Sequence, residues 1–160
     1  MGSVAGDSEY KWLKNGTAVM ARSITMQQRI EFGDCDPAGI VWFPNYHRWL
    51  DAASRNYFIK CGLPPWRQTV VERGIVGTPI VSCNASFVCT ASYDDVLTIE
   101  TCIKEWRRKS FVQRHSVSRT TPGGDVQLVM RADEIRVFAM NDGERLRAIE
   151  VPADYIELCS

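Results

Sequence analysis

The clearest periodicity in the chain lies between residues 46 and 61. Tyr46, Trp49, Leu50, Ala53, Tyr57 and Cys61 recur at intervals of three and four, the spacing of one buried face on an α-helix. Pro44 suits the first turn of that helix, where a missing N–H costs nothing. Gly62, followed by Pro64 and Pro65, stops it. The spacing predicts one long helix over about 44–61, with His47, Asp51 and Arg55 one turn apart along its polar edge.

Elsewhere the period is two. Residues 24–32 read as a first strand, weakly alternating at Gln28, Ile30 and Phe32. Residues 63–74 form a connector with room for one helical turn. Val81, Cys83, Ala85, Phe87 and Cys89 then alternate with polar neighbours, as in a half-buried strand. After the turn 92-SYDD-95, Leu97, Ile99 and Ile103 mark another strand, closed by the hairpin-length break 107-RRKS-110. Residues 111–119 return, and 120-TTPGGD-125 turns the chain again. The last long strand slips in phase. Val126, Leu128, Met130 and Ala132 share one parity, and Ile135, Val137 and Ala139 the other, which predicts a β-bulge near Asp133. A final turn, 141-NDGE-144, leads to Arg145 and Arg147.

One strand, one long helix and four further strands make an α+β domain: a five-stranded antiparallel sheet with a helix on one face. A single helix cannot cover five long strands, so the sheet is expected to curl around it. An exposed edge strand would favour dimerisation by sheet continuation.

Composition adds mainly exclusions. The 160 residues suffice for one domain with a real core. Lys plus Arg equals Asp plus Glu, 19 against 19, so no global field points to nucleic acid or a membrane surface. No apolar run approaches the roughly 20 residues of a bilayer span. Six cysteines include no C-x-x-C pair and read as reduced thiols of a cytoplasmic protein. His47 and His115 stand far apart, so no zinc site is expected. Residues 1–19 are aperiodic and read as an expression-derived extension or loose tail, leaving 20–160 as the domain.

The chemistry concentrates where the first strand meets the helix, at 34-DCDPAG-39. A calcium loop would need an oxygen ligand at its fifth position and Glu at its twelfth, but these are Ala38 and Asn45, and no helix pattern precedes it. A plain turn is the simpler reading, since Asp before Pro opens turns and acids favour a helix start. The third reading is catalytic. A helix N-terminus offers unpaired N–H donors that polarise a carbonyl. A carboxylate beside it, ionised at pH 7 without a helper base, can attack the carbon or activate a water. Asp36, nearer the helix, is the better candidate; Asp34 would cap the turn.

The run Gly33-Asp34-Cys35-Asp36-Pro37-Ala38-Gly39-Ile40-Val41-Trp42-Phe43, followed by Asn45-Tyr46, resembles the motif of the 4-hydroxybenzoyl-CoA thioesterase family of hotdog-fold proteins. The likeness extends over residues 24–157. It implies a hotdog fold and a homotetramer built as a dimer of dimers, with interfacial active sites. It also implies hydrolysis of 4-hydroxybenzoyl-CoA, the last step of 4-chlorobenzoate dehalogenation, with no metal or cofactor beyond the CoA of the substrate. On this resemblance Asp36 is the catalytic carboxylate, as nucleophile or general base, and the backbone N–H of Phe43 polarises the thioester. Relatives often carry Tyr where this chain has Phe43, which matters only if a hydroxyl is needed. Asp51 would meet the benzoyl 4-hydroxyl, and Trp66, Thr78, Pro79 and Ile80 would line the aryl and pantetheine region.

The basic turn Arg107, Arg108 and Lys109 has a physical reading of its own. Coenzyme A ends in phosphates, and a neutral protein needs a local cationic patch to hold them. Arg145 and Arg147 would supply a second one. Three other functions fit parts of the pattern: a thioesterase for another aryl or short aliphatic acyl group, a non-catalytic acyl-CoA or carrier-protein binding module, and a hotdog dehydratase. The dehydratase fits least, because such enzymes pair a His with an acid and neither His here is so placed.

Overall fold

The long helix α1 runs Pro44–Lys60 and packs on a sheet built from five of the strands. These are β3 (Ser23–Arg29), β5 (Ile80–Phe87), β6 (Val96–Trp106), β7 (Phe111–Thr120) and β8 (Val126–Arg136). They pair antiparallel throughout in the order β3-β6-β7-β8-β5. The structure, a computed structural model, describes residues 22–160 together with the backbone of two earlier strands, β1 (Lys11–Lys14) and β2 (Thr17–Met20). Those two pair with each other in a sheet of their own. The rest of the expected extension at 1–19 lies outside the described residues.

All six positions of the predicted helix face are buried, joined by Ser54 and Phe58. The connector holds a two-turn helix, α2 (Trp66–Arg73), in place of one turn. Gly74 closes it at φ 70°, a left-handed conformation that glycine adopts without a Cβ penalty. Between α2 and β5 lies β4 (Ile75–Gly77). It pairs with β9 (Ala139–Asn141), which pairs with β10 (Leu146–Ala148), forming a small separate sheet. A short helix α3 (Ala153–Leu158) follows.

Three expectations change. The first strand ends at Arg29, and Phe32 opens a 3-10 turn, Phe32–Asp34, where its ring is exposed. The reciprocal capping of Glu31 and Asp34 bends the chain there. Strand β5 is exposed along most of its length although its parity is as expected. Phe87 meets Tyr46 edge-on at 5.4 Å and Cys83 lies 4.0 Å from His47, so the odd positions do face α1. They stay open because β5 is the sheet edge, beyond the reach of a single helix.

The third change concerns β8. Its register against β7 and against β5 is continuous from Met130 to Ile135, so no bulge lies at Asp133. The irregularity against β7 falls at Val129, between the pairs Val117↔Met130 and Ser118↔Leu128. Beyond it the parity never slips. Met130, Ala132, Glu134, Arg136 and Phe138 are all buried. The inward positions 134 and 136 carry charges, which made the apolar outward residues look like the buried row.

Those charges belong to a polar belt across the interior. One apolar cluster contains Trp49, Leu50 and Ala53 of α1 with Leu97, Ile99, Val117, Met130 and Ala132 of the sheet. A second contains Tyr57, Phe58 and Cys61 with Ile103, Phe111 and Phe138. Between them on the same elements sit Ser54, Thr101, Gln113, His115, Glu134 and Arg136, all buried.

Candidate active site

The 34–41 joint is a tight loop made by its own acids. Asp34 accepts Glu31 N–H at 3.0 Å through Oδ2 and Arg48 at 3.0 Å through Oδ1. Its carbonyl accepts the N–H of Trp42 at 2.9 Å and the Asn45 side chain at 2.8 Å. Asp34 is thus the structural acid. Asp36 closes the inner turn: its Oδ1 accepts Ala38 N–H at 2.8 Å and its carbonyl accepts Gly39 N–H at 2.9 Å. Gly39 sits at φ 76°, a conformation L-residues adopt only with strain. The Asp36 carboxylate is half-buried, and among the described residues no cation pairs with it. One of its oxygens is thus held by the turn, and the other has no partner among the described residues.

The same loop delivers the start of α1. Phe43 is its N-cap residue and Pro44 has no N–H to offer. Asn45 N–H bonds to Trp42 O at 2.9 Å and Tyr46 N–H to Phe43 O at 3.2 Å. The Phe43 N–H has no partner among the described residues, so it is the unpaired donor at the positive end of the helix dipole. Phe43 and Tyr46 line an apolar cleft of about 330 Å³ with Phe87, Val88 and Cys89. Burial pushes the Tyr46 phenol up to about 12, so it remains neutral there.

A second, more polar cavity of about 380 Å³ opens farther along α1. Asp51, Trp66, Thr78 and Pro79 line it together. Ile80, the fifth residue expected there, is not part of its wall and projects from β5 with partial exposure. Trp66 is packed on Phe58 at 5.8 Å. Gly77, beside the Trp66 ring, sits at φ 144°, a conformation that side chains with a Cβ rarely adopt. Arg136 forms part of the cavity wall and holds Asp51 with two hydrogen bonds of 3.1 Å, both to Oδ1. Its third direction is fixed by Thr78 O at 3.0 Å and its Nε by Glu134 Oε2 at 2.8 Å.

Behind Arg136 the belt continues. His115 Nε2 lies 3.2 Å from Glu134 Oε2, and His115 Nδ1 lies 2.9 Å from Thr101 Oγ1. The carboxylate can only accept, so Nε2 carries a proton. Burial alone would push the Glu134 carboxyl up. The His115 N–H and the Arg136 guanidinium outweigh it and hold the carboxyl below its ordinary value. Sequence reasoning missed this network, including a His–acid pair, His115–Glu134, where it expected neither histidine to be so placed; the pair is fully buried within the sheet. Its one signal, two charges continuing the buried parity of Met130 and Ala132, was masked by the apolar parity of Ile135 and Val137.

The two basic segments meet in space. Lys109 and Arg147 line one groove of about 320 Å³ with Met140 and Ile149, and Val151 N–H bonds to Arg108 O at 2.9 Å. Arg107 is held by Glu105 at 2.9 and 2.8 Å, Arg108 by Glu150 at 2.7 Å and Arg147 by Asp142 at 3.5 Å. Arg145 is exposed and does not line the groove. No helix among the described residues is long and apolar enough to cross a membrane.

Comparison with known proteins places this geometry. The thioesterase-like superfamily matches residues 30–157. A 4-hydroxybenzoyl-CoA thioesterase, crystallised as an aspartate-to-asparagine mutant complexed with 4-hydroxybenzoyl-CoA, is 98% identical. It superposes with a TM-score of 0.87 over 88% of this chain and 100% of its own. The 4-hydroxybenzoyl-CoA thioesterase of Pseudomonas sp. strain CBS-3 is 99% identical, with a TM-score of 0.84, over 87% of this chain and 100% of its own. A 1,4-dihydroxy-2-naphthoyl-CoA hydrolase of Prochlorococcus marinus subsp. pastoris is 28% identical over 48% of this chain and 53% of its own. The chain spans about half the length of the curated relatives it matches.

Proposed function

The chain belongs to the thioesterase-like superfamily, and from that premise we propose that it hydrolyses 4-hydroxybenzoyl-CoA to 4-hydroxybenzoate and coenzyme A. The observation that carries this reading is the 98% identity, over the whole of the other chain, with a thioesterase crystallised with that thioester. That relative was an aspartate-to-asparagine mutant, which supports a carboxylate as the working group.

Asp36 is our assignment. Its turn-free oxygen attacks the thioester carbon, and negative charge builds on the carbonyl oxygen. The Phe43 N–H donates to that oxyanion, an interaction worth ~10²–10³ in rate. The tetrahedral adduct collapses by expelling the CoA thiolate, which takes a proton from solvent. The resulting mixed anhydride is hydrolysed by water, releasing 4-hydroxybenzoate and restoring Asp36. Asp51 accepts a hydrogen bond from the 4-hydroxyl, Trp66, Thr78 and Pro79 border the acyl and pantetheine arms, and Lys109 and Arg147 face the phosphates. Arg107, Arg108 and Arg145 complete the cationic rim.

Asp51 lies eight residues beyond Phe43, about 12 Å along the helix, and opens into a different cavity. A site assembled from two subunits brings one chain's Asp36 loop against another's Asp51 cavity. This reading supports a homotetramer, a dimer of dimers with interfacial sites. The unpaired apolar edge of β5 supports it too, as Val81 and Phe87 are more than half-exposed or nearly so. Six free cysteines fit a reducing cytoplasm.

The test is thiol release from 4-hydroxybenzoyl-CoA, benzoyl-CoA and butyryl-CoA, with the wild type and Asp36→Asn. Fast hydroxybenzoyl release, lost by orders of magnitude in the variant while binding survives, is expected. Equal slow release by both proteins would reduce the 34–41 loop to a turn. Rapid quench with mass spectrometry separates the two roles of Asp36: a protein-bound hydroxybenzoyl group marks attack, and its absence marks general-base catalysis.

A further inference from the structure

We propose that Arg136 is a positioning residue that makes Asp51 the specificity determinant of the acyl cavity, anchored by the buried chain Glu134, His115 and Thr101. The inference rests on the reading of Asp51 as the acceptor of the acyl hydroxyl. The geometry has three parts. First, Arg136 reaches Asp51 with both terminal nitrogens at 3.1 Å, and both bonds fall on Oδ1. Among the described residues nothing bonds to Oδ2, so one carboxylate oxygen is clamped and the other is left to accept from a ligand.

Second, the clamp itself cannot swing. The Arg136 side chain is 3% exposed and is fixed by Glu134 through Nε and by Thr78 O through a terminal nitrogen. Asp51, by contrast, is 69% exposed on the helix edge. Alone, such a side chain would sample several rotamers. A rigid, planar guanidinium converts it into a group with one direction. Third, the anchor extends into the sheet. Glu134 is fully buried and accepts from His115, which is held by Thr101 across β6 and β7. A buried carboxylate is costly unless paired, and this one is paired on the side that orients Arg136.

The consequence is discrimination by chemistry at the distal end of the acyl group. A hydroxyl there donates to Oδ2. An unsubstituted ring leaves the clamped carboxylate facing apolar carbon, which removes its solvation without replacement.

The experiment is a double-mutant cycle read on a ratio. The kcat/KM values for 4-hydroxybenzoyl-CoA and benzoyl-CoA are measured for wild type, Arg136→Lys, Asp51→Ala and the double variant. Lysine keeps the charge but cannot hold Asp51 through two nitrogens while bonding Glu134. The hydroxyl preference is expected to fall roughly tenfold in Arg136→Lys, with no further change when Asp51→Ala is already present. Equal losses on both substrates, an unchanged ratio, or the same loss in both backgrounds would each overturn the proposal. If Arg136→Lys fails to fold, the isosteric Glu134→Gln is read by the same ratio, against the same Asp51→Ala background, with the same criteria. The two readings fail differently. A wild type without hydroxyl preference sinks the assignment of Asp51, whereas a preference lost in Asp51→Ala but intact in Arg136→Lys sinks only the role of Arg136.

Discussion

Replacing Phe43 with proline removes the backbone N–H together with the phenyl ring that lines the cleft. The Phe43 N–H has no partner among the described residues, so its loss breaks no bond of the fold. The local φ is −52°, within the range that the pyrrolidine ring imposes. The side chain is 61% exposed, so little core packing is lost. The folded state should therefore stay within about 1 kcal/mol of wild type, the stiffer unfolded chain offsetting part of any strain. At the size of this domain that is roughly 2–4 °C in Tm. If the N–H is the donor that meets the developing oxyanion, kcat falls ~10²–10³, or about 2.7–4 kcal/mol in the barrier. Phe43→Ala keeps the N–H and deletes the ring, and should retain kcat within a fewfold. The assay is thiol release at saturating 4-hydroxybenzoyl-CoA, with thermal melts alongside. A proline variant that melts normally and keeps its kcat would refute the reasoning. Equal losses in the alanine and proline variants would shift the role from the backbone to the ring.

Other outcomes follow from the same geometry. Lys109→Ala and Arg147→Ala, which share a groove, should raise KM for the CoA thioester severalfold at low salt yet leave the pantetheine thioester unaffected; parallel effects on both substrates would remove the phosphates from that groove. Val81→Lys places a charge on the exposed edge strand β5, a substitution that blocks sheet continuation. Sedimentation velocity should then report a smaller species, and an unchanged mass would move the interface elsewhere. Stability should fall in acid, because Arg114 holds the Asp133 carboxyl below its ordinary value and Glu134 is likewise held low. A depressed folded value contributes stability above the ordinary carboxylate range near pH 4 and loses it as pH falls through the folded value. Urea midpoints from pH 7 down to pH 3 should show that loss, and Asp133→Asn should flatten it; an equally steep loss in the variant would exclude Asp133 as a source.

The helix was legible because its buried face obeys one period and its ends carry Pro44 and Gly62. The hairpin turns at 107–110 and 120–125 were legible from local chemistry alone. The Asp36 loop was singled out as a candidate because two acids precede a Pro and a Gly at a helix start. The inner face of β8 was not, since alternation analysis assumes that apolar residues point inward, and here Glu134 and Arg136 do. The outcome was a bulge placed at Asp133 when the irregularity lies at Val129. The cavity around Asp51 draws on α1, α2, β8 and the 76–79 segment. Local pattern named Asp51 as a polar-edge residue but held no information that Arg136 would reach it across 85 positions.

A uniformly oily interior would let a helix slide. Moving α1 by one turn, about 5.4 Å, would exchange one apolar contact for another at small cost. The belt forbids that shift. It would bring Leu50 or Phe58 to the level of Ser54 and carry Asp51 away from Arg136, breaking the two hydrogen bonds between them. The polar residues thus act as an index mark on an otherwise smooth rail. They set the height of the helix against the strands, and with it the height of the N–H at its first turn. The alignment of the helix's first turn is fixed from the middle of the rod, about three turns from Ser54, by groups buried between the two apolar clusters.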